Sequence, residues 1–191
     1  MDKTAFFASV RSGILGPTLT ETEVSGCEAI LGAMDGLPIA YCAYGLATAF
    51  HETNSQMQPV REAYWLSESW RKSHLSYYPY YGRGYVQLTH KTGYQNADSK
   101  LGLGGTLVAN LDRALEFDIA AMVMRRGMIE GWFRGDSQGR HTFARHLPET
   151  GLGTIDQFTT ARDIINGGRD KAKMIARHAL QFQDALSAGG W

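Results

Sequence analysis

The stretch Leu37-Pro38-Ile39-Ala40-Tyr41-Cys42-Ala43-Tyr44-Gly45-Leu46-Ala47-Thr48-Ala49-Phe50 constrains this chain more than any other. It carries no charge and no polar stripe. A helix that is apolar nearly all round has no face to offer water, so it has to be central, with other elements wrapped about it. Pro38 suits its first turn, where a missing N–H costs no hydrogen bond. The run ends in His51-Glu52-Thr53, which sets a carboxyl in the last turn of an enclosed helix. No run of about 18 apolar residues occurs, so no membrane span is expected.

The flanking sequence is also mostly helical in pattern. Thr20 and Glu23 have the spacing of a capping box. Val24, Cys27, Ile30, Leu31 and Met34 then share one helical face, and Asp35-Gly36 stops the helix. A short helix is expected over 60–72. Tyr85-Val86-Gln87-Leu88-Thr89 alternates as a short strand would. Gly102 to Gly105 reads as a loop. Asp112 is expected to cap a helix running to about Arg126 and burying Leu115, Ile119, Met122 and Val123. Residues 131–154, rich in Gly, Arg, His and Pro, read as surface loop. A helix from Asp156 to about Ile165 meets a stop signal at Asn166-Gly167-Gly168. A last helix from near Asp170 carries the stripe Ile175, Ala179, Phe182, Leu186. The fold class is mainly α with at most a small β element. The 191 residues suit one domain, 1–191, with two lobes about a cleft.

Several functions are excluded early. Basic and acidic residues balance at 19 each, without the basic stripe of a nucleic-acid binder. Two cysteines, Cys27 and Cys42, make no disulfide framework and are expected as buried free thiols. The start Met1-Asp2-Lys3-Thr4-Ala5-Phe6-Phe7 lacks the pattern of a secretory signal. Synthesis in the cytoplasm is therefore expected, with release by another route if the substrate lies outside.

Chemistry gathers between residues 51 and 94. Burial and the negative end of a helix dipole both disfavour a carboxylate at Glu52, a suitable setting for a general acid. His51-Glu52 does not continue into a zinc motif, because position 55 is Ser55 where a second histidine is needed. No metal is expected. Downstream, Glu62 and Glu68 are the acids available before Gly82-Arg83-Gly84. Glu62 is the favoured base, with Glu68 the alternative, and Arg61 beside Glu62 is expected to favour its ionised form. The two glycines do not complete a dinucleotide or phosphate loop. They allow a sharp turn or a close backbone approach. On a strand, Gln87 and Thr89 point to one side, an amide and a hydroxyl able to hold a sugar substituent and a water. Seven of the nine tyrosines and two of the four tryptophans lie between 64 and 94. Such rings suit the apolar faces and hydroxyl edges of sugars, and equally a local aromatic core.

Taken in order, Ala49-Phe50-His51-Glu52-Thr53, Tyr81-Gly82-Arg83-Gly84-Tyr85-Val86-Gln87-Leu88-Thr89, Tyr94 and Ile164-Ile165-Asn166-Gly167-Gly168 resemble glycoside hydrolase family 19. That family comprises plant-type chitinases and bacterial or phage endolysins. The resemblance departs at Tyr85, where Pro or Ala is common. It implies a lysozyme-like fold of two helical lobes flanking a cleft, with Glu52 as general acid and Glu62 as base. Thr89 would position the attacking water. Gln87, Tyr94 and Asn166 would line sugar subsites, with His51, Tyr81 and Arg83 among the substrate contacts. Inversion would place the two carboxyl groups roughly 6.5–9.5 Å apart. No cofactor is implied. The expected partner is peptidoglycan or chitin, the protein acting at the cell wall as a monomer. A phage-type endolysin leads, a chitinase is second, and a non-catalytic sugar-binding or phage structural protein is the alternative outside enzymes. A metal-dependent amidase or peptidase lacks the histidine spacing.

Overall fold

The computed structural model describes residues 1–168 and 170–191. Among the described residues the regular structure is ten α-helices, two 3₁₀ turns and two minimal sheets. Helix α1 (Lys3–Ser12) is capped by Asp2, whose carboxylate accepts from Thr4 N and Ala5 N. Helix α2 (Glu21–Met34) opens on the expected capping box, Thr20 Oγ1 accepting from Glu23 N while Glu23 accepts from Thr20 N. Helix α3 (Ile39–Glu52) is the apolar run, and every residue from Ala40 to Ala49 is buried. It packs against α10 (Ala172–Ala188) and α2, while α10 also packs on α1 and α9 (Ile155–Thr160). The stripe Ile175, Ala179, Phe182, Leu186 is the buried face of α10. Cys27 and Cys42 are buried free thiols, as expected.

The middle of the chain departs from the sequence expectation. Residues 60–72 do not form one helix. Val60–Arg61 is strand β1, and the helix is α4 (Glu68–His74), capped by Ser67. Strand β2 is Arg83–Gly84, not 85–89, and pairs antiparallel with β1, Val60 opposite Gly84. Residues after Gly84 turn back so that Leu88 bonds Arg83 in both directions. Helix α5 (Lys91–Leu101) ends on Gly102, which adopts φ +68°. Asp98 accepts from Gly105 N, Leu107 N and Val108 N, and so holds the start of α6 (Thr106–Ala109).

Asp112 caps no helix. It lies in a 3₁₀ turn, Leu111–Leu115, that is capped by Asn110, and α7 (Phe117–Glu130) starts afterwards. Met122 is on the exposed side of α7, 38% accessible. Residues 131–154 are more than surface loop. They hold the hairpin β3 (Gly135–Asp136) and β4 (Gly139–Arg140), then α8 (Phe143–His146). Phe143 and Leu147 are buried, Phe143 stacking on Tyr41 of α3 at 4.6 Å. The buried Gln183 amide pairs both backbone groups of Gly153, which ties this segment to α10. The helix from 155 tightens after Thr160 into a 3₁₀ turn, Ala161–Ile164, and the chain leaves it at Asn166. No helix among the described residues is long and apolar enough to cross a membrane.

Candidate active site

Glu52 is the last residue of α3, partly buried as expected, with 19% of its side chain accessible. It does not stand alone. Arg162 reaches it from the 3₁₀ turn 110 residues along the chain, Nη1 donating to Oε1 at 2.7 Å. Arg162 is itself buried, and its Nε finds no acceptor among the described residues. The second oxygen of Glu52 has no protein partner among the described residues. The arrangement fixes the carboxyl through one oxygen and leaves the other available. Arg162 escapes sequence reasoning because no local pattern joins it to Glu52. The available signal is an arginine flanked by residues that bury, Phe158, Ala161 and Ile164.

Glu62 follows β1 and is held from two sides. Tyr77 Oη donates to Oε1 at 2.7 Å, and Gly82 N donates to Oε2 at 2.9 Å. Its own backbone N–H bonds Gly82 O, so the side chain and main chain both lock to the glycine turn. The Tyr77 phenol is pushed up to about 12, chiefly by this hydrogen bond and then by burial, so it stays a donor. Arg61 does not serve Glu62. Neighbours on a strand point to opposite faces, and Arg61 Nη2 bonds Asp112 at 2.7 Å instead.

The glycines of the turn have separate reasons. A Cβ on Gly82 would stand 2.7 Å from Gln87 Oε1, and a Cβ on Gly84 2.9 Å from Ala114 O. Gly84 also has φ +86°, where side chains are strained. Gln87 itself has φ +52°, and its Nε2 donates to Val60 O and Gly84 O. Gln87 and Thr89 therefore come together through a turn, not through strand alternation. Thr89 Oγ1 donates to Gln87 O at 2.6 Å, which leaves the hydroxyl free to accept. Both residues line a cavity of about 520 Å³ that also reaches Ile165, next to Asn166. Asn166 is exposed, and its Oδ1 accepts from Gly168 N.

Three expected sugar contacts are buried instead. Tyr94, Tyr81 and Arg83 are 0%, 1% and 4% accessible. Arg83 lies 3.7 Å from the Tyr81 ring centre, donates to Tyr94 Oη and to the Tyr81 carbonyl, and pairs with Asp112 at 2.9 Å. Their physical role is a frame behind the turn. Glu68 is likewise engaged, accepting from Tyr81 Oη and from Arg71 Nε. Burial opposes its charge, but the Arg71 and Tyr81 hydrogen bonds outweigh it and hold the carboxyl below its ordinary range. His51 is half-buried. Burial lowers its pKa, the Glu52 charge opposing and Arg162 and Lys171 adding to the fall. The aromatic zone splits: Tyr81, Tyr85 and Tyr94 are interior, while Trp65 is 71% exposed beside Tyr64.

Backbone strain concentrates in the same stretch. All six described non-glycine residues with positive φ fall between Asn54 and His90: Asn54, Ser55, Met57, Ala63, Gln87 and His90. Each costs on the order of 1–3 kcal/mol and persists where neighbouring contacts over-determine it. Around Ala63 those contacts come from buried Arg71, which donates to the carbonyls of Ala63 and Leu66.

The architecture has a known counterpart. It is similar to the crystal structure of chitinase C from Streptomyces griseus HUT6037, with a TM-score of 0.55. The likeness covers 96% of this chain and 75% of the chitinase at 18% identity. The shared feature is the fold. It is mainly α and lysozyme-like. No family model matches the chain, and no curated protein matches it in sequence.

Proposed function

We propose that this protein is an endo-acting, inverting glycoside hydrolase that cuts β-1,4 bonds in peptidoglycan and acts at the cell wall as a monomer. The observation that carries the reading is the contrast between two carboxyls on a chitinase-like fold. Glu52 is held through one oxygen by a buried arginine. Glu62 accepts neutral donors at both oxygens beside the Gln87 turn. In this reading the unbonded oxygen of Glu52 faces the glycosidic bond, and Glu62, fixed at both oxygens, faces the water.

In this reading, the free oxygen of protonated Glu52 donates to the glycosidic oxygen as the C–O bond breaks. Arg162 then faces the carboxylate that remains. Water attacks the anomeric carbon from the opposite side and passes its proton to Glu62. Because Thr89 spends its own hydrogen on Gln87 O, it orients that water as an acceptor. Gln87 and Asn166 contact the sugar, and the open face of Trp65 offers it a stacking surface. Chitin is the second reading, favoured by the chitinase of similar fold.

Purified peptidoglycan and chitin, each digested and analysed for reducing ends by mass spectrometry, test the proposal. Wild type should release new reducing ends from peptidoglycan. Glu52→Gln and Glu62→Gln should each lose about 10²–10⁴-fold in rate. Full activity in either variant refutes its assigned role.

A further inference from the structure

The cavity that Gln87 and Thr89 line is lined by neither carboxyl of the proposed mechanism. Its apolar wall is Leu88, Trp132, Phe133 and Ile165; its polar rim holds Lys100, Glu130 and Arg140. The charges on that rim are unequal. Glu130 is already satisfied, by Arg126 at 2.5 Å, the Trp132 indole at 3.0 Å and Lys100 at 3.4 Å. Those bonds hold its carboxyl down to about 2, the Trp132 bond contributing most. Arg140 is different. Its Nη1 donates to Gly131 O at 2.8 Å, and no acid pairs with it among the described residues. The pocket therefore joins an apolar wall to one uncompensated guanidinium, immediately beside the residues proposed to hold sugar and water.

We propose that this cavity is a side pocket for the carboxylate-bearing lactyl-peptide stem that branches from alternate sugars of peptidoglycan, with Arg140 as its anion contact. The inference rests on the glycosidase reading and deepens it by assigning a pocket to the part of peptidoglycan that chitin lacks. A linear polymer of N-acetylglucosamine has neither a branch nor an anion to place there. A stem offers both, a short aliphatic chain for Trp132, Phe133 and Ile165 and carboxylates for the guanidinium. At about 520 Å³ the volume is in the range of ordinary ligand pockets, roughly 300–1,000 Å³. Arg140 projects from the exposed hairpin strand β4, so its remaining donors can meet a ligand without first breaking an ion pair.

Two ligands decide the matter: soluble peptidoglycan strands, and N-acetylglucosamine oligomers of matched length, which carry neither lactyl group nor peptide. Binding is measured on the Glu52→Gln protein by calorimetry, so hydrolysis is not needed for the readout. Stem-bearing strands should bind about tenfold more tightly than the unbranched oligomers, the scale of one charge-assisted contact. Arg140→Ala and Arg140→Gln should both erase that ratio. The glutamine variant can still reach the Gly131 carbonyl, which separates loss of charge from loss of the hairpin contact. A ratio near one in the Glu52→Gln protein, or one that survives both substitutions, overturns the pocket. Reducing-end release from wild type runs in parallel. Release without stem preference sinks the pocket and spares the hydrolase. Stem preference without release keeps the pocket and sinks the hydrolase.

Discussion

The Arg162–Glu52 pair gives the sharpest test of how the candidate acid is held. The perturbation is a double-mutant cycle of Arg162→Met, Glu52→Gln and the combination. Arg162 is 7% and Glu52 19% accessible, with 2.7 Å between the bonded atoms. Removing one partner of a buried pair strands the other's charge, at a typical cost of about 3–5 kcal/mol. Two features reduce that figure here. The residual exposure of Glu52 lets it regain some hydration. Arg162 Nε is a buried donor without an acceptor, and deleting it removes a penalty of about 1–3 kcal/mol. The expected loss for Arg162→Met is therefore about 2 kcal/mol, or about 4–8 °C in Tm for a chain of this size. Glu52→Gln should lose about 1–2 kcal/mol, since the guanidinium still finds an amide oxygen. The double variant pairs an apolar side chain with a neutral one, so it should be less destabilised than the sum of the singles, by about 2 kcal/mol. Arg162→Lys should recover much of the stability by keeping the charge. Urea denaturation followed by circular dichroism measures all four proteins. If the two single changes add to within about 0.5 kcal/mol, the pair is not coupled and Arg162 does not position Glu52.

Gly82→Ala should cost about 1–3 kcal/mol and most of the hydrolytic rate, because its Cβ would press on both Oε1 and Cβ of Gln87, at 2.7 and 3.2 Å. Gly32→Ala, in the last turn of α2 with nothing within 4 Å of the new methyl, should instead raise Tm. A Gly82→Ala protein with wild-type Tm and rate would show that the close approach is not enforced. Acid should destabilise the fold before carboxylates titrate. Burial is the largest cause lowering His51, His146 and His178, so each binds a proton more readily when unfolded. Their contribution is intact above the unfolded value of about 6.5 and is lost as pH falls below it. Glu130 and Asp136, held down to about 2, add their loss only below about pH 4.5. Tm should therefore fall between pH 7 and 5, and less steeply in His146→Gln; a flat Tm over that range contradicts the argument.

What was legible in the sequence was whatever a helix encodes locally. The Thr20/Glu23 box, the all-round apolar α3 and the α10 stripe are periodic signals that complete themselves within a few turns. The position of Glu52 at the end of α3 followed from them. The sheet was not legible. Two-residue strands such as Val60–Arg61 and Arg83–Gly84 are too short to display alternation. Gln87 at positive φ broke the alternation that the run from Tyr85 to Thr89 displays in one dimension. Asp112 has the composition of a helix cap, yet its side chain is drawn to Arg61 and Arg83, 51 and 29 residues away. A nearby pair of guanidinium groups outweighs a cap worth about 1 kcal/mol.

The same reasoning explains why a recognisable motif and a binding surface are not the same set of residues. Gly-Arg-Gly and the tyrosine ten residues beyond it are distinctive in sequence. In space, Arg83, Tyr81 and Tyr94 turn inward, and Arg83 reaches Asp112 at the surface edge of their network. A buried cation with one acid, two phenol rings and two carbonyls around it tolerates little substitution, because each partner lost leaves charge or a polar group unpaired. That network fixes where Gly82 N–H points, and Gly82 N–H fixes one oxygen of Glu62. The motif thus acts on the proposed chemistry at one remove, through backbone placement. In the proposed reading, a polymer would meet the residues that remain accessible around it: Gln87, Thr89, Trp65, Asn166 and, on the far side of the cavity, Arg140.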